Sequence, residues 1–399
     1  MANVSRWTLT DVDQQVWVEE LTLGAGALGA DPDSGACVRK FTLHGGLGDG
    51  MDVVEVCNGP LSFTVLPTRG MGLWRGDYRG RSLGWCAPVH GPVHPKFVHA
   101  SERGGLGWLG GFDECIVRCG LESNGAPGVD VVPNNMGQPT EIELGLHGRI
   151  ANIPAHFVEV RVEPGDPSVV TLVGMVDESM LFCPQFRLVT EISTAIGSNT
   201  LRITDCVRNI GSTRSEMELL YHCNFGAPFL EEGSRLVLPS RATMPRDTRA
   251  AETWRDWAEY RAPTAGYVEQ CYWHVPLADD DGRTVAMLQN AAADAGVAVR
   301  FNTGQLPCFT QWKNTAGIDE GYVTGLEPAT NYPNTRTFER KQGRVVTLDA
   351  GGRYDVELEL EVHDTADGVA RVRDEVERLQ GEVDHVVHEE PVGGYSDID

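Results

Sequence analysis

The 399-residue sequence lacks any long apolar run and is poor in positive charge. No stretch approaches the about 18 consecutive apolar residues that suggest a membrane-spanning helix, and the first residues lack the apolar centre of a signal peptide. Lys and Arg number 33 against 57 Asp and Glu, giving a net charge of −24, which repels nucleic acid and anionic membrane surfaces. We therefore expect a cytoplasmic protein that binds neither nucleic acid nor membrane.

Cysteine motifs and internal repeats are also scarce. The ten cysteines are scattered, and the only close pair, Cys115 and Cys119, has no second pair that would complete a zinc ribbon. Reduced, mostly buried thiols are the simplest interpretation. We find no repeat with the period of a solenoid or a propeller.

Short segments that alternate apolar and polar residues, separated by Gly, Pro and Asn turns, make up most of the chain. This rhythm, at a spacing of roughly 8–12 residues, predicts an all-β fold, a large antiparallel β-sandwich, over residues 1–365 as one domain. Val369, Val372, Val376 and Leu379 lie at helical spacing and predict a C-terminal helix over residues 367–380. This helix belongs to a C-terminal segment, residues 366–399. The acidic tail of the segment, from residue 381 onward, is expected to be loosely held.

Three stretches carry no clear strand pattern. Residues 124–138 are predicted to form a loop, and residues 241–262 a loop with at most a short helix. Residues 85–120 are dense in Gly, Pro, His and Trp, and no regular element is predicted there. Because long irregular segments in compact domains usually have a functional role, we expect this one to line a site.

Four polar residues stand at positions where a strand meets a turn. Arg69 lies in LPTRGM, where Pro ends a strand and Gly permits a sharp bend, and His147 precedes a glycine. His222 lies near the end of a strand in ELLYHCNFGAP. Glu327 precedes Pro328, which cannot donate to a β-ladder, so the strand is expected to end there and to place the carboxylate in a loop beside a cleft. Each could instead be an ordinary surface or core residue.

Together these segments resemble the aldose 1-epimerase (galactose mutarotase-like) superfamily over about residues 39–363. YHCNFGAP is similar to the family's Asn-His-x-x-Phe-Asn-Leu segment, and GLEPATNYPN to its Leu-Glu-Pro-x-Thr loop. LPTRGM and LHGRIANIP resemble the segments that carry its sugar-contacting Arg and first His. The fold that this resemblance implies is a β-supersandwich with the sugar in an open cleft.

The resemblance implies interconversion of sugar anomers by acid–base ring opening, with no metal and no organic cofactor. Carried over by motif, Glu327 is the base and His222 the acid, while Arg69 and His147 bind sugar hydroxyls. The family's sugar-binding Asp has no secure counterpart. We take Asp113 in GGFDE as its substitute, with a structural role in a turn as the alternative.

The sequence leaves several points open. Trp312 in FTQWKN would stack on a sugar face, or pack in the core. The function alternatives are a metal-dependent sugar isomerase or lyase on the same scaffold and a non-catalytic carbohydrate-binding protein. The metal-dependent alternative would use residues from the irregular segment, namely His90, His94, Asp113 and Glu114. The expected partner is a small sugar of unspecified identity, and homo-oligomerisation stays open.

Overall fold

Two large sheets face each other in the computed structural model, which describes residues 4–397. The strands are β1 Ser5–Asp11, β2 Val16–Trp17, β3 Leu21–Gly24, β4 Cys37–Thr42, β5 Asp52–Cys57, β6 Leu61–Leu66, β7 Gly72–Tyr78, β8 Arg81–Leu83, β9 Ile116–Leu121, β10 Gly128–Pro133, β11 Pro139–Leu144, β12 Phe157–Glu163, β13 Val169–Ser179, β14 Gln185–Ala195, β15 Thr200–Asn209, β16 Ser215–Phe225, β17 Arg235–Val237, β18 Ser240–Pro245, β19 Gln270–Pro276, β20 Arg283–Gln289, β21 Gly296–Asn302, β22 Cys308–Asn314, β23 Val323–Ala329, β24 Val346–Leu348, β25 Arg353–His363 and β26 Val386–Val387.

Helices are few and mostly short. The α-helices are α1 Glu102–Gly105, α2 Thr248–Ala251, α3 Arg336–Lys341 and α4 Ala366–Gln380. Single 3₁₀ turns occupy Ala25–Leu28, Pro32–Ser34, Gly46–Gly48, Pro95–Phe97, Gly107–Gly111, Ile150–Asn152, Trp254–Asp256 and Ile318–Glu320. No helix among residues 4–397 combines the length and apolar character needed to cross a membrane.

The two sheets differ in size. A ten-stranded sheet has the order β17-β20-β21-β25-β15-β14-β13-β12-β1-β2. A 14-stranded sheet has the order β26-β18-β19-β22-β23-β16-β9-β7-β6-β5-β4-β3, with β8 beside β7 and β24 beside β16. Among the described strands, pairing is antiparallel except between β18 and β26, and β10 and β11 form a separate hairpin. The predicted large antiparallel β-sandwich is confirmed.

The main core fills the space between the sheets. Along β16, Leu219, Tyr221, Cys223 and Phe225 point into this core, as apolar side chains of β13, β14 and β15 do from the other sheet. Helix α4 confirms the predicted C-terminal helix and packs through its apolar face on the outer side of the ten-stranded sheet, at β20 and β21.

Each of the three predicted irregular stretches contains residues of a strand, and the predictions were wrong over those residues. Strand β10 lies within residues 124–138, and all but one residue of β9 and of β18 lie within residues 85–120 and 241–262. All six residues of β9 are buried, so the strand shows no alternation of apolar and polar residues. A strand covered on both faces loses the period-two signal by which strands are recognised.

The tail is not loosely held over its described residues, contrary to the sequence expectation. Strand β26 pairs in parallel with β18, so the tail adds to the edge of the larger sheet. Further along, Ser396 accepts a hydrogen bond at 2.9 Å from the buried indole Nε1 of Trp273. The last two residues, 398 and 399, lie outside the described residues.

Candidate active site

A row of side chains crosses the outer face of the larger sheet at β16, β23 and β22. Because Tyr221 points into the core, its neighbour His222 points outward. Glu327 lies opposite His222 on β23, and Thr310 of β22 pairs with Glu327 from the other side. The imidazole and the carboxylate, more than a hundred positions apart in the chain, therefore meet at neighbouring strand positions.

The prediction that the strand ends at Glu327 was wrong. Strand β23 continues through Pro328 to Ala329, and its pairing with β22 is unbroken over these residues. On the other side, the ladder with β16 skips the positions of Glu327 and Pro328. A proline without an N–H can remain in a strand when its missing donor interrupts the ladder on one side only.

His222 and Glu327 are in direct contact. Nε2 of His222 lies 3.3 Å from Oε1 of Glu327, and the two residues are 4% and 2% exposed. Gly325 leaves space for them, because a Cβ at this position would lie 2.5 Å from Glu327 Oε1 and 2.9 Å from His222 Cε1. A side chain at residue 325 would therefore displace the pair.

Aromatic rings and a second imidazole surround His222. The ring centroids of His147 and Trp312 are each 5.4 Å from that of His222, and Phe112 is at 5.0 Å. Trp108 packs on His147 at 4.7 Å. Trp108 and Phe112 come from the irregular part of residues 85–120 and pack against the two imidazoles.

His147 is held by its backbone and by one hydrogen bond. Its φ of 59° places it in the left-handed region, and Nδ1 lies 2.8 Å from the carbonyl oxygen of Asn124. Since a carbonyl only accepts, Nδ1 carries the proton, which leaves Nε2 as the free acceptor of a neutral ring. Burial lowers the pKa of His147 to about 4.

Glu269 is a site residue that the sequence reasoning missed. Its Oε2 accepts a hydrogen bond at 2.7 Å from Nε1 of Trp312, and its Oε1 accepts one at 3.1 Å from Nη2 of Arg246. Glu269 immediately precedes β19, the neighbour of β22. The available signal was an acidic residue at the start of EQCYWHV, a segment rich in apolar and aromatic residues.

Arg69 and Asp113 lie in a separate buried cluster with Glu114. The predicted bend at Arg69 is present, but the side chain is fully buried, and Nε donates to Glu114 Oε1 at 2.5 Å. Nη1 donates to Asn152 Oδ1 at 2.9 Å. Asp113 Oδ2 accepts from Trp74 Nε1 at 2.9 Å, and burial, followed by the charge of Glu114, raises the pKa of Asp113 to about 7. Sugar binding by either residue stays a prediction.

The electrostatics of the central pair favour its neutral form. Burial, followed by the nearby charge of Glu269, raises the pKa of Glu327 well above its usual range. Burial, followed by the proximity of His147, lowers the pKa of His222 well below its usual range. Both shifts favour the uncharged groups, an arrangement in which the carboxyl group carries the one proton that the pair can exchange.

No geometry of the described residues supports the metal-dependent alternative. Within residues 4–397 no three His, Cys, Asp or Glu side chains form a group that could hold a metal ion. His94 instead accepts a hydrogen bond from the backbone N–H of Lys96 at 3.1 Å, at the start of a 3₁₀ turn. Glu114 is already paired with Arg69.

The two facing sheets define a galactose mutarotase-like β-sandwich. The chain belongs to the family described as domain of unknown function DUF4432, whose model matches residues 48–362. It is 33% identical to a protein of Klebsiella pneumoniae subsp. pneumoniae MGH 78578 described as a putative aldose 1-epimerase. That likeness covers 98% of this chain and 100% of the other, with a TM-score of 0.91.

More distant structures share the fold alone. A galactose mutarotase-like protein from Clostridium acetobutylicum is 15% identical, with a TM-score of 0.54, over 83% of this chain and 99% of that chain. A galactose 1-epimerase from Lactobacillus acidophilus NCFM is 11% identical, with a TM-score of 0.51, over 83% of this chain and 99% of that chain. No curated protein matches this sequence.

Proposed function

We propose that this protein is an aldose 1-epimerase, which interconverts the anomers of a free sugar by opening and reclosing its ring. The observation that carries the proposal is the contact of 3.3 Å between Nε2 of His222 and the carboxyl group of Glu327. Anomer exchange needs an acid and a base at two oxygens bonded to the same carbon. A pair of adjacent side chains holding one proton meets that requirement.

The pair can run the reaction with one proton in circulation. Transfer of the proton from Glu327 to Nε2 of His222 produces the carboxylate and imidazolium that the sequence resemblance implies. The carboxylate removes the proton of the C1 hydroxyl, the imidazolium protonates the ring oxygen, and the bond between C1 and that oxygen breaks. Rotation about the C1–C2 bond and the reverse transfers then close the other anomer and restore the resting pair.

Surrounding groups suit a sugar ring. Trp312 offers an apolar face to the C–H side of a pyranose, and Glu269, Thr310 and the Nε2 atom of His147 offer hydrogen-bonding groups. Oγ1 of Thr310, Nε1 of Trp108 and Oε1 of Glu327 are buried without a hydrogen-bond partner among the described residues. Sugar hydroxyls can supply these missing partners.

Access to the pair is restricted. His222 and Glu327 are almost fully buried, and Trp108 and Phe112 pack over the imidazoles. A sugar ring can therefore reach the pair only when the covering residues move aside. The closed arrangement also excludes water, which strengthens electrostatic interactions with the reacting oxygens.

Saturation-exchange NMR over a panel of free hexoses, pentoses and acidic sugars tests the proposal, because it measures anomer exchange directly. We expect at least one free sugar to exchange faster with the protein, and Glu327→Gln and His222→Asn each to slow that exchange by about 10²–10⁴-fold. Glu163→Gln, at the exposed end of β12, is the matched carboxyl-to-amide control and should not change the rate.

Two outcomes would contradict the proposal. Normal exchange by Glu327→Gln would mean that this carboxyl group is not part of the chemistry. Binding of a sugar by the unaltered protein without faster exchange of any sugar in the panel would instead indicate a carbohydrate-binding protein.

A further inference from the structure

Asn224 is buried on the same face of β16 as His222, two residues further along the strand. Its Oδ1 lies 2.6 Å from Nδ1 of His222. It falls on a variable position of the Asn-His-x-x-Phe segment in the family that the sequence resembles, so that resemblance gives it no role. The contact nevertheless controls which nitrogen of the imidazole carries a proton.

The orientation of the Asn224 amide follows from its other contacts. Its Nδ2 lies 3.0 Å from the carbonyl oxygen of Glu114 and 3.0 Å from that of His222. Both of these oxygens can only accept, so the amide group facing them must be the NH₂. If the amide were flipped, its oxygen would face two carbonyl oxygens at 3.0 Å, where no hydrogen bond can form. Oδ1 therefore faces the imidazole.

An amide oxygen beside Nδ1 fixes the tautomer of His222. Because Oδ1 only accepts, Nδ1 must carry the proton. The second nitrogen, Nε2, is then unprotonated in the neutral ring and faces Glu327 at 3.3 Å. Nδ1 keeps its proton in the neutral ring and in the imidazolium, so Nε2 is the only ring atom that gains or loses one.

We propose that Asn224 is a positioning residue that holds His222 in the Nδ1–H tautomer and so confines proton exchange to Nε2, opposite Glu327. The consequence for turnover rests on the proposed anomer exchange, whereas the tautomer itself does not. Without Asn224 the ring can place its proton on Nε2 and donate it to Glu327. The pair would then be locked by its own hydrogen bond, with the free lone pair on Nδ1, turned away from Glu327.

Several groups face His222 besides Asn224. Glu327 comes from β23, His147 from the turn after β11, and Trp312 from β22, where it is linked to Glu269. Glu327 contacts the ring at Nε2, and Asn224 contacts it at Nδ1. The amide is therefore the group that discriminates between the two neutral tautomers.

The first test is ¹⁵N NMR of the protein labelled at its histidine rings, without a sugar. Ring signals that disappear in His222→Asn are those of His222. We expect Nδ1 of His222 to have the shift of a protonated nitrogen and Nε2 that of an unprotonated one at neutral pH. The opposite pattern would overturn the inference, whether or not the protein exchanges anomers.

The second test compares Asn224→Leu with Asn224→Asp. The leucine variant loses the acceptor, so we expect the Nε2–H tautomer to become populated and anomer exchange to slow by about 10²-fold or more. Both variants lose the two hydrogen bonds that Nδ2 donates, so they differ in the acceptor beside Nδ1. The aspartate variant keeps that acceptor and should retain the Nδ1–H tautomer and exchange anomers faster than the leucine variant. Its pH profile should move upward, because a neighbouring carboxylate raises the pKa of an imidazole.

The outcomes separate this inference from the proposed function. A leucine variant that keeps the Nδ1–H tautomer and the original exchange rate would overturn the role of Asn224. If no sugar in the panel shows faster exchange, the proposed function fails while the tautomer measurement still decides the structural part. Should the leucine variant not fold, the spectra of the unaltered and aspartate proteins provide the decision.

Discussion

Tyr221 and His222 are neighbours in β16 and lie in two very different polar environments. Tyr221 points between the sheets, where its hydroxyl donates to Asp205 Oδ2 at 2.7 Å. Nη2 of Arg118 donates to the other oxygen of that carboxylate at 3.0 Å and to Oγ1 of Thr190 at 2.8 Å. His222 points to the opposite face, into the candidate active site.

The two environments differ in how completely their polar atoms are paired. In the network between the sheets, each guanidinium nitrogen of Arg118 and both oxygens of Asp205 have partners. On the outer face, Glu327, Thr310 and Trp108 each have a buried polar atom without a hydrogen-bond partner among the described residues. Because such atoms cost about 1–3 kcal/mol each, the first arrangement favours stability and the second favours binding a ligand.

The largest expected effect on stability comes from Asp205→Asn. This change leaves the Arg118 guanidinium buried without a counter-charge, and removal of one partner of a buried ion pair costs about 3–5 kcal/mol. Glu327→Gln is the matched change on the outer face, where burial already favours the neutral carboxyl group. It should alter the free energy of unfolding by at most about 1.5 kcal/mol. Urea denaturation measures both, and equal losses would remove the distinction between the two environments.

A smaller effect is expected from Tyr221→Phe. The lost hydroxyl donates to a charged carboxylate, and such hydrogen bonds contribute about 1.5–3 kcal/mol. Tyr322→Phe is the control, because the Tyr322 hydroxyl donates at 2.6 Å to a neutral acceptor, the carbonyl oxygen of Arg261. Its loss should cost about 0.5–1.5 kcal/mol. Urea denaturation of both variants would contradict this ranking if the control were the less stable one.

The sequence predicted the fold where one face of a strand is wet and the other buried. Strand β14 alternates between buried and partly exposed residues along its whole length, which is the pattern that the sequence shows. Strand β9 has no alternation because the core covers one face and the residues over the candidate site cover the other. The residues that cover the outer face of β9 remove its alternation and also line the candidate site.

The meeting of His222 with Glu327 could be predicted from motifs, but much of their environment could not. Glu269 reaches the site through its bond to Trp312, and Asn224 acts through a contact of one amide with one ring, which no local pattern encodes. Arg69 was predicted at a bend, and its ion pair with Glu114 depends on the fold of residues 85–120. Arg69→Ala would therefore leave a buried carboxylate unpaired, so any binding measurement on it needs a parallel stability measurement.

The smallest predicted effect is a loss of stability in acid, which arises from burial of the His147 imidazole on the outer face. The pKa of His147 falls from 6.5 to about 4 on folding, so between these values the unfolded chain binds a proton that the folded protein does not. The contribution of His147 to the free energy of unfolding is fully present above pH 6.5 and is lost as the pH falls towards 4. The loss amounts to about 1 kcal/mol over the first pH unit.

His147→Asn should reduce this loss, and asparagine tolerates the positive φ at this position. The control is His90→Asn, which removes an exposed imidazole and should leave the acid sensitivity unchanged. Free energies of unfolding measured in urea at pH 6.5 and one unit lower give the comparison. Equal sensitivity of the unaltered protein and His147→Asn would show that burial of this imidazole does not make the outer face more acid-labile than the paired network between the sheets.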